Sequence, residues 1–142
     1  MENEKWDEIN KNGAHEERLK TFLESSNDCY AILQLRKTDE TRLERFASLA
    51  ELEREGIEPN FAHYEVMYIA PCDATTHPVS LLESLYEKFN LYLPEDFKGH
   101  SLSVSDIVAL KQDNKVSCYY VDLLGFKELP EFLKPENCSK NP

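Results

Sequence analysis

The sequence predicts an α+β fold: a single domain over residues 14–134, in which about four strands, ending in an antiparallel hairpin, pack against about three helices. Three observations carry that prediction. Short runs rich in β-branched and aromatic residues alternate with stretches whose apolar residues recur at helical spacing. Two S/T-x-x-E boxes, Thr41 with Glu44 and Ser80 with Glu83, stand where helices would begin. The chain has 142 residues, 41% of them hydrophobic, which is enough to bury one sizeable core and too apolar for a disordered polymer.

Residues 1–13 form a polar, highly charged arm whose only large apolar side chains are Trp6 and Ile9, so it is either loose or docked as a helical turn, with frayed ends. From Ala14 to Ser26, Leu19, Phe22 and Leu23 make one apolar stripe, with Glu16, Glu17, Arg18, Lys20 and Glu24 on the wet side of a short helix. The compact run from Cys29 to Leu35 is too short for a free-standing helix and reads as the first strand. The Thr41 box then opens a helix that buries Leu43, Phe46, Leu49, Ala50 and Leu52 and stops at Gly56, with Pro59 beyond it.

Tyr64 to Ala70 is apolar on both faces, which predicts a strand inside the sheet, and Pro71 ends its ladder. A polar loop leads to the Ser80 box, after which Leu81, Leu82, Leu85, Tyr86 and Phe89 give the clearest helical stripe in the chain, closed before Pro94. Asp106 to Lys111 and Val116 to Asp122, joined by Gln112-Asp113-Asn114-Lys115, form a hairpin. Leu129 to Leu133 is a last short turn, and residues 135–142 are a polar tail.

Charge narrows the function classes. Against 16 Lys and Arg stand 27 Asp and Glu, a net charge of −11, the opposite of what replaces counterions along a nucleic-acid backbone. Direct nucleic-acid binding is therefore not expected, and a charged partner would be basic. No apolar run reaches the roughly 20 residues of a membrane span, and the first residues lack the apolar core of a signal peptide, so a cytoplasmic location is expected. Cys29, Cys72, Cys118 and Cys138 show no C-x-x-C spacing, so no metal site is expected; Cys29 and Cys118 fall in core-like strands. With glycines only at 13, 56, 99 and 125, neither a dinucleotide fingerprint nor a P-loop can be built, and no cofactor is expected.

Two groups of residues could carry chemistry. His100 and Ser101, with Asp106 and Asp122 downstream, contain the residue types of a nucleophilic triad, yet no G-x-S-x-G elbow accompanies them. The plainer reading is that Gly99, Ser101, Ser103 and Ser105 form a tight, hydrogen-bonded approach into a strand. Residues 61–100 hold six acidic side chains against two basic ones, and Asp73, Glu83, Glu87, Glu95 and Asp96 flank the third helix. They make either an acidic docking face or a normally solvated one.

The run Asp96-Phe97-Lys98-Gly99-His100-Ser101-Leu102-Ser103-Val104-Ser105-Asp106-Ile107-Val108, with Tyr119-Tyr120-Val121-Asp122 and Gly125-Phe126, resembles the YodL-like domain family. The similarity reaches upstream to Tyr64-Glu65-Val66-Met67-Tyr68 and downstream to Leu129-Pro130-Glu131-Phe132, and so covers about residues 30–133. Leu123-Leu124 departs from the pattern, in which a small polar residue and an aromatic precede the glycine.

The resemblance implies cargo of bacterial conjugative elements and phages, set beside proteins that blunt restriction or CRISPR immunity, and it brings no catalytic residues with it. The expected function is a non-enzymatic counter-defence protein: an acidic inhibitor of anti-CRISPR or antirestriction type that grips a host Cas or restriction nuclease. Its contact residues would be Asp73, Glu83, Glu87, Glu95, Asp96, Phe97, His100 and Phe126, with Gly99, Ser101, Ser103, Ser105, Asp106, Tyr120, Asp122 and Gly125 shaping the motif. The alternatives are an adaptor for a cytoskeletal or conjugation component, anchored by Phe97, His100 and Phe126, and a small hydrolase using His100. A binding protein of this kind is expected to lack a deep pocket lined by ionisable groups.

Overall fold

The computed structural model describes residues 2–72, 77–130 and 132–133. Helices α1 (Glu2–Asn12) and α2 (His15–Glu24) lead into strand β1 (Cys29–Leu35). A short helix α3 (Leu49–Arg54) precedes β2 (Tyr64–Pro71), and the long helix α4 (Pro78–Leu91) precedes β3 (Ile107–Gln112), β4 (Lys115–Val121) and β5 (Phe126–Glu128). The five strands form one antiparallel sheet in the order β2-β1-β3-β4-β5. The β3–β4 hairpin turns through Asp113 and Asn114, both at positive φ, as a two-residue turn matched to strand twist requires.

Alternation along the strands sends two sets of side chains to two cores. Cys29, Ala31, Leu33, Val66, Ile69, Ala109, Cys118 and Tyr120 face Trp6 and Ile9 of α1, Phe22 of α2 and Leu52 of α3. Tyr30, Ile32, Tyr68, Val108 and Leu110 face Leu81, Leu82, Leu85 and Phe89 of α4. With both faces covered, every residue of the interior strand β1 is buried.

Four sequence expectations change. The polar opening is an eleven-residue helix docked by Trp6 and Ile9, so it belongs to the packed body. The helix expected from Thr41 is only a 3-10 turn over Asp39–Thr41, because Phe46 takes a left-handed conformation (φ 66°) that an α-helix cannot contain; Leu43 and Phe46 are exposed. The true helix starts two residues later, where Ser48 and Glu51 cap each other's backbone N–H groups. α4 starts earlier than expected, with His77 as its cap and Pro78 in its first turn. A fifth strand, β5, forms where only a connection was expected.

β2 is an edge strand, where its two apolar faces predicted an interior one. Its outer rim is closed by side chains instead of by a neighbouring strand. Asn10 accepts from Ile69 N–H (3.0 Å) and donates to Ile69 C=O (2.8 Å). His15 Nδ1 accepts from Val66 N–H (2.8 Å), and Arg18 Nε donates to Val66 C=O (2.6 Å). Burial is the main reason the His15 imidazole titrates below its usual range, which suits a neutral acceptor. Arg18 is thus buried, not on the wet side; its Nη1 also donates to Gly13 C=O (2.8 Å) just past the end of α1. Lys111 ends α2 likewise, donating to Leu23 and Ser25 carbonyls.

Candidate functional site

The Gly99–Asp106 segment runs from the end of the α4 connection into β3 and folds on a single hub, the buried carboxylate of Asp106. Its Oδ2 accepts from the Ser103 N–H (2.8 Å) and from Gln34 Nε2 (3.0 Å). The second Gln34 amide proton goes to the His100 carbonyl (2.8 Å), and Gln34 Oε1 accepts from His100 N–H (3.3 Å). Since both Gln34 protons are committed, His100 Nδ1 is best placed as the donor to Ser101 C=O, 2.7 Å away. That leaves Nε2 facing Asp106 Oδ1 at 3.8 Å, longer than a hydrogen bond. Burial pushes the Asp106 carboxyl up to about 8, against the lowering effect of its Ser103 and Gln34 donors. Gly99 is required by close approach: a Cβ there would strike Gln34 Oε1 and the Phe97 ring.

The serines hold the chain in shape. Ser103 Oγ donates to Ser101 C=O (2.8 Å), and Ser105 Oγ accepts from Phe46 N–H (2.9 Å). Ser105, itself at φ 87°, gives its carbonyl to the buried Tyr64 hydroxyl (2.7 Å), while the Tyr120 hydroxyl holds Ala47 C=O (2.6 Å). Among the described residues no serine hydroxyl hydrogen-bonds the His100 imidazole, and no three His, Cys, Asp or Glu side chains gather as a metal site.

Beside this hub opens a cleft of about 440 Å³ between the end of β1 and the start of β3. His100, Ser105 and Asp106 line it together with Lys37, Arg42, Arg45 and Phe46. The sequence reading expected no pocket of ionisable groups and missed these four residues. A signal was present: Arg36, Lys37, Arg42 and Arg45 crowd into ten residues, but the helix expected from Thr41 put Arg42 and Arg45 on a helix whose apolar stripe buried Phe46.

The remaining candidates lie elsewhere. Glu83, Glu87 and Glu95 are exposed, and Asp96 is half-buried beside Tyr68. The Tyr68 hydroxyl is pushed up to about 12, first by burial and then by the Asp96 charge. Asp73 lies outside the described residues. Phe97 packs edge-on against Phe89 and Tyr68, and Phe126 edge-on against Tyr86. No ring contact joins Phe97, His100 and Phe126 to one another. A second hollow, about 230 Å³, brings Glu83 and Tyr86 of α4 together with Asp122, Leu123, Gly125 and Phe126. Its rim is the β4–β5 turn, where Asp122 N–H donates to Gly125 C=O (2.9 Å), Asp122 Oδ1 accepts from Leu49 and Leu123 N–H, and Gly125 takes φ 80°. Leu123 and Leu124 stand 68% and 86% exposed at that turn.

No helix among the described residues is long and apolar enough to cross a membrane. The family model described as YodL-like domain matches residues 29–132, from the first residue of β1 to the buried Phe132. No curated protein and no solved structure matches the chain significantly.

Proposed function

Given that the chain belongs to the YodL-like domain family, we propose that it is a non-enzymatic, mobile-element-encoded counter-defence protein that works in the bacterial cytoplasm as an acidic inhibitor of a host nuclease, of anti-CRISPR or antirestriction type. One observation supports this reading above the others: the hollow between α4 and the β4–β5 turn brings the exposed Leu123 together with Glu83 and Asp122, and the exposed Leu124 follows on the same turn. A leucine pair at the tip of a turn, with no core of its own to enter, has the character of an interface anchor. The carboxylates, with exposed Glu87 one turn along α4, suit a basic partner surface such as a nuclease channel, and a net charge of −11 would speed the encounter.

The test is cleavage by a panel of Cas and restriction nucleases with the purified chain added in slight excess. Inhibition of one member, weakened about tenfold or more by Leu123→Ser with Leu124→Ser and by Glu83→Lys, fits the proposal. Full cleavage by all of them contradicts it.

A second reading, a small hydrolase at His100, is favoured by the approach of its Nε2 to Asp106 Oδ1 in an open cleft. It needs a nucleophile: the Ser103 and Ser105 hydroxyls are engaged with backbone, and among the described residues no serine hydroxyl hydrogen-bonds the His100 imidazole. Turnover of ester substrates abolished by His100→Ala would establish it. An adaptor role, anchored by Phe97, His100 and Phe126, would show as capture of a cytoskeletal or conjugation component in place of nuclease inhibition.

A further inference from the structure

In a chain with 27 acidic side chains, the cleft at the end of β1 collects Lys37, Arg42 and Arg45, and none of the three forms an ion pair among the described residues. Neighbouring cations behave differently: Arg18 and Arg36 both reach Glu65. Three unpaired cations lining one cleft repel one another, and their gathering there is best explained by an anion that enters between them.

Phe46, which lines the same cleft, is held in a strained conformation. A phenylalanine at φ 66° costs on the order of a kcal/mol or more and is ordinarily tolerated only when the surroundings over-determine it. Here the surroundings do so: the Phe46 N–H is bound by Ser105 Oγ, Ser105 is itself at positive φ, and the Tyr64 and Tyr120 hydroxyls hold the Ser105 and Ala47 carbonyls. The strain does not serve to bury the ring, which is 61% exposed. It holds the ring over the cleft, tilted against the His100 imidazole at 5.8 Å. Between them, His100 Nε2 and Asp106 Oδ1 carry no hydrogen bond and face the same space.

We propose that this cleft binds a nucleoside phosphate, with its phosphate held by Lys37, Arg42 and Arg45, its planar base laid on Phe46, and Asp106 and His100 reading a polar edge. A volume of about 440 Å³ lies in the ordinary range for small-ligand sites, roughly 300–1,000 Å³. Phosphate is held by side chains here, since the chain lacks the glycine-rich turn that would cradle it with backbone N–H groups. A nucleic-acid polymer is disfavoured, because three cations in one hollow do not make the extended basic track that a phosphate backbone needs. The inference stands apart from nuclease inhibition: its residues are not those of the leucine-bearing hollow, so either can fail alone.

The test is isothermal titration of the full chain at low salt with AMP, ADP, GMP and CMP, and separately with adenosine and inorganic phosphate. One-to-one binding of at least one nucleotide is expected, about tenfold or more tighter than adenosine or phosphate alone. Arg42→Ala with Arg45→Ala should weaken it about tenfold or more. Phe46→Gly should weaken it several-fold without lowering the melting temperature, since glycine relieves the backbone while removing the ring. No binding of any nucleotide at millimolar concentration, equal affinity for inorganic phosphate, or preference for a single-stranded oligonucleotide would each overturn the proposal.

Discussion

The backbone N–H of Phe46 donates to the hydroxyl of Ser105 over 2.9 Å, and both residues sit at positive φ. This bond ties the connection after β1 to the entry of β3, and so sets the width of the cleft between them. Most of the ring of Phe46 is in water, so the conformation gains little from burial.

Phe46→Gly is therefore expected to stabilise the fold by about 1 kcal/mol, a rise of roughly 3 °C in a chain of this size. Thermal unfolding followed by circular dichroism checks it. A drop of similar size would mean that the ring contact with His100 outweighs the strain.

Asp106 sets a pH dependence. Burial raises its carboxyl from 3.8 to about 8, so the folded chain keeps the proton over a range in which the unfolded chain releases it. The contribution of Asp106 to stability is expected to be fully present below about pH 4, to fall as the pH rises from there to about 8, and to level off above. Asp106→Asn keeps an acceptor for Gln34 and Ser103 and cannot ionise. In urea titrations, its advantage over the natural chain should be small at pH 4 and grow to a few kcal/mol at pH 8; a difference independent of pH would contradict this.

Asn10 acts on β2 as a neighbouring strand would. Asn10→Ala leaves the buried N–H and C=O of Ile69 without partners and should cost about 2–4 kcal/mol in denaturant unfolding. Asn12→Ala, which loses only an exposed bond to Glu8, should stay within about 0.5 kcal/mol.

Gly99→Ala drives a Cβ into Gln34 Oε1 and Phe97, and should cost about 1–3 kcal/mol. Nitrogen-15 NMR would show the disturbance concentrated at Gln34, His100 and Asp106, the three groups that share this network. A shift pattern that spares Gln34 would count against the network.

Local pattern made much of the fold legible. β1 was readable residue for residue, because a run buried on both faces and bounded by polar segments has few other uses. The hairpin and the stripe of α4 were readable for the same kind of reason. What the pattern could not show was decided at a distance. Residues 41–48 have helical spacing, but Phe46 answers to Ser105, 59 positions away. β2 looks interior because both of its faces are apolar, and only the positions of Asn10, His15 and Arg18 reveal its rim. The same holds for the candidate sites. Glu83, Asp122 and Phe126 were marked separately, and the β4–β5 turn brings them together. The cationic cleft was hidden because Arg42, Arg45 and Phe46 fall in the range of a helix that does not form.

The most direct test of the central claim is a titration of nuclease cleavage with the purified chain, run at low and at physiological salt. Loss of cleavage that saturates near one equivalent is expected for one Cas or restriction enzyme, with association slowing as salt rises. Undiminished cleavage by every enzyme at several-fold excess would contradict it.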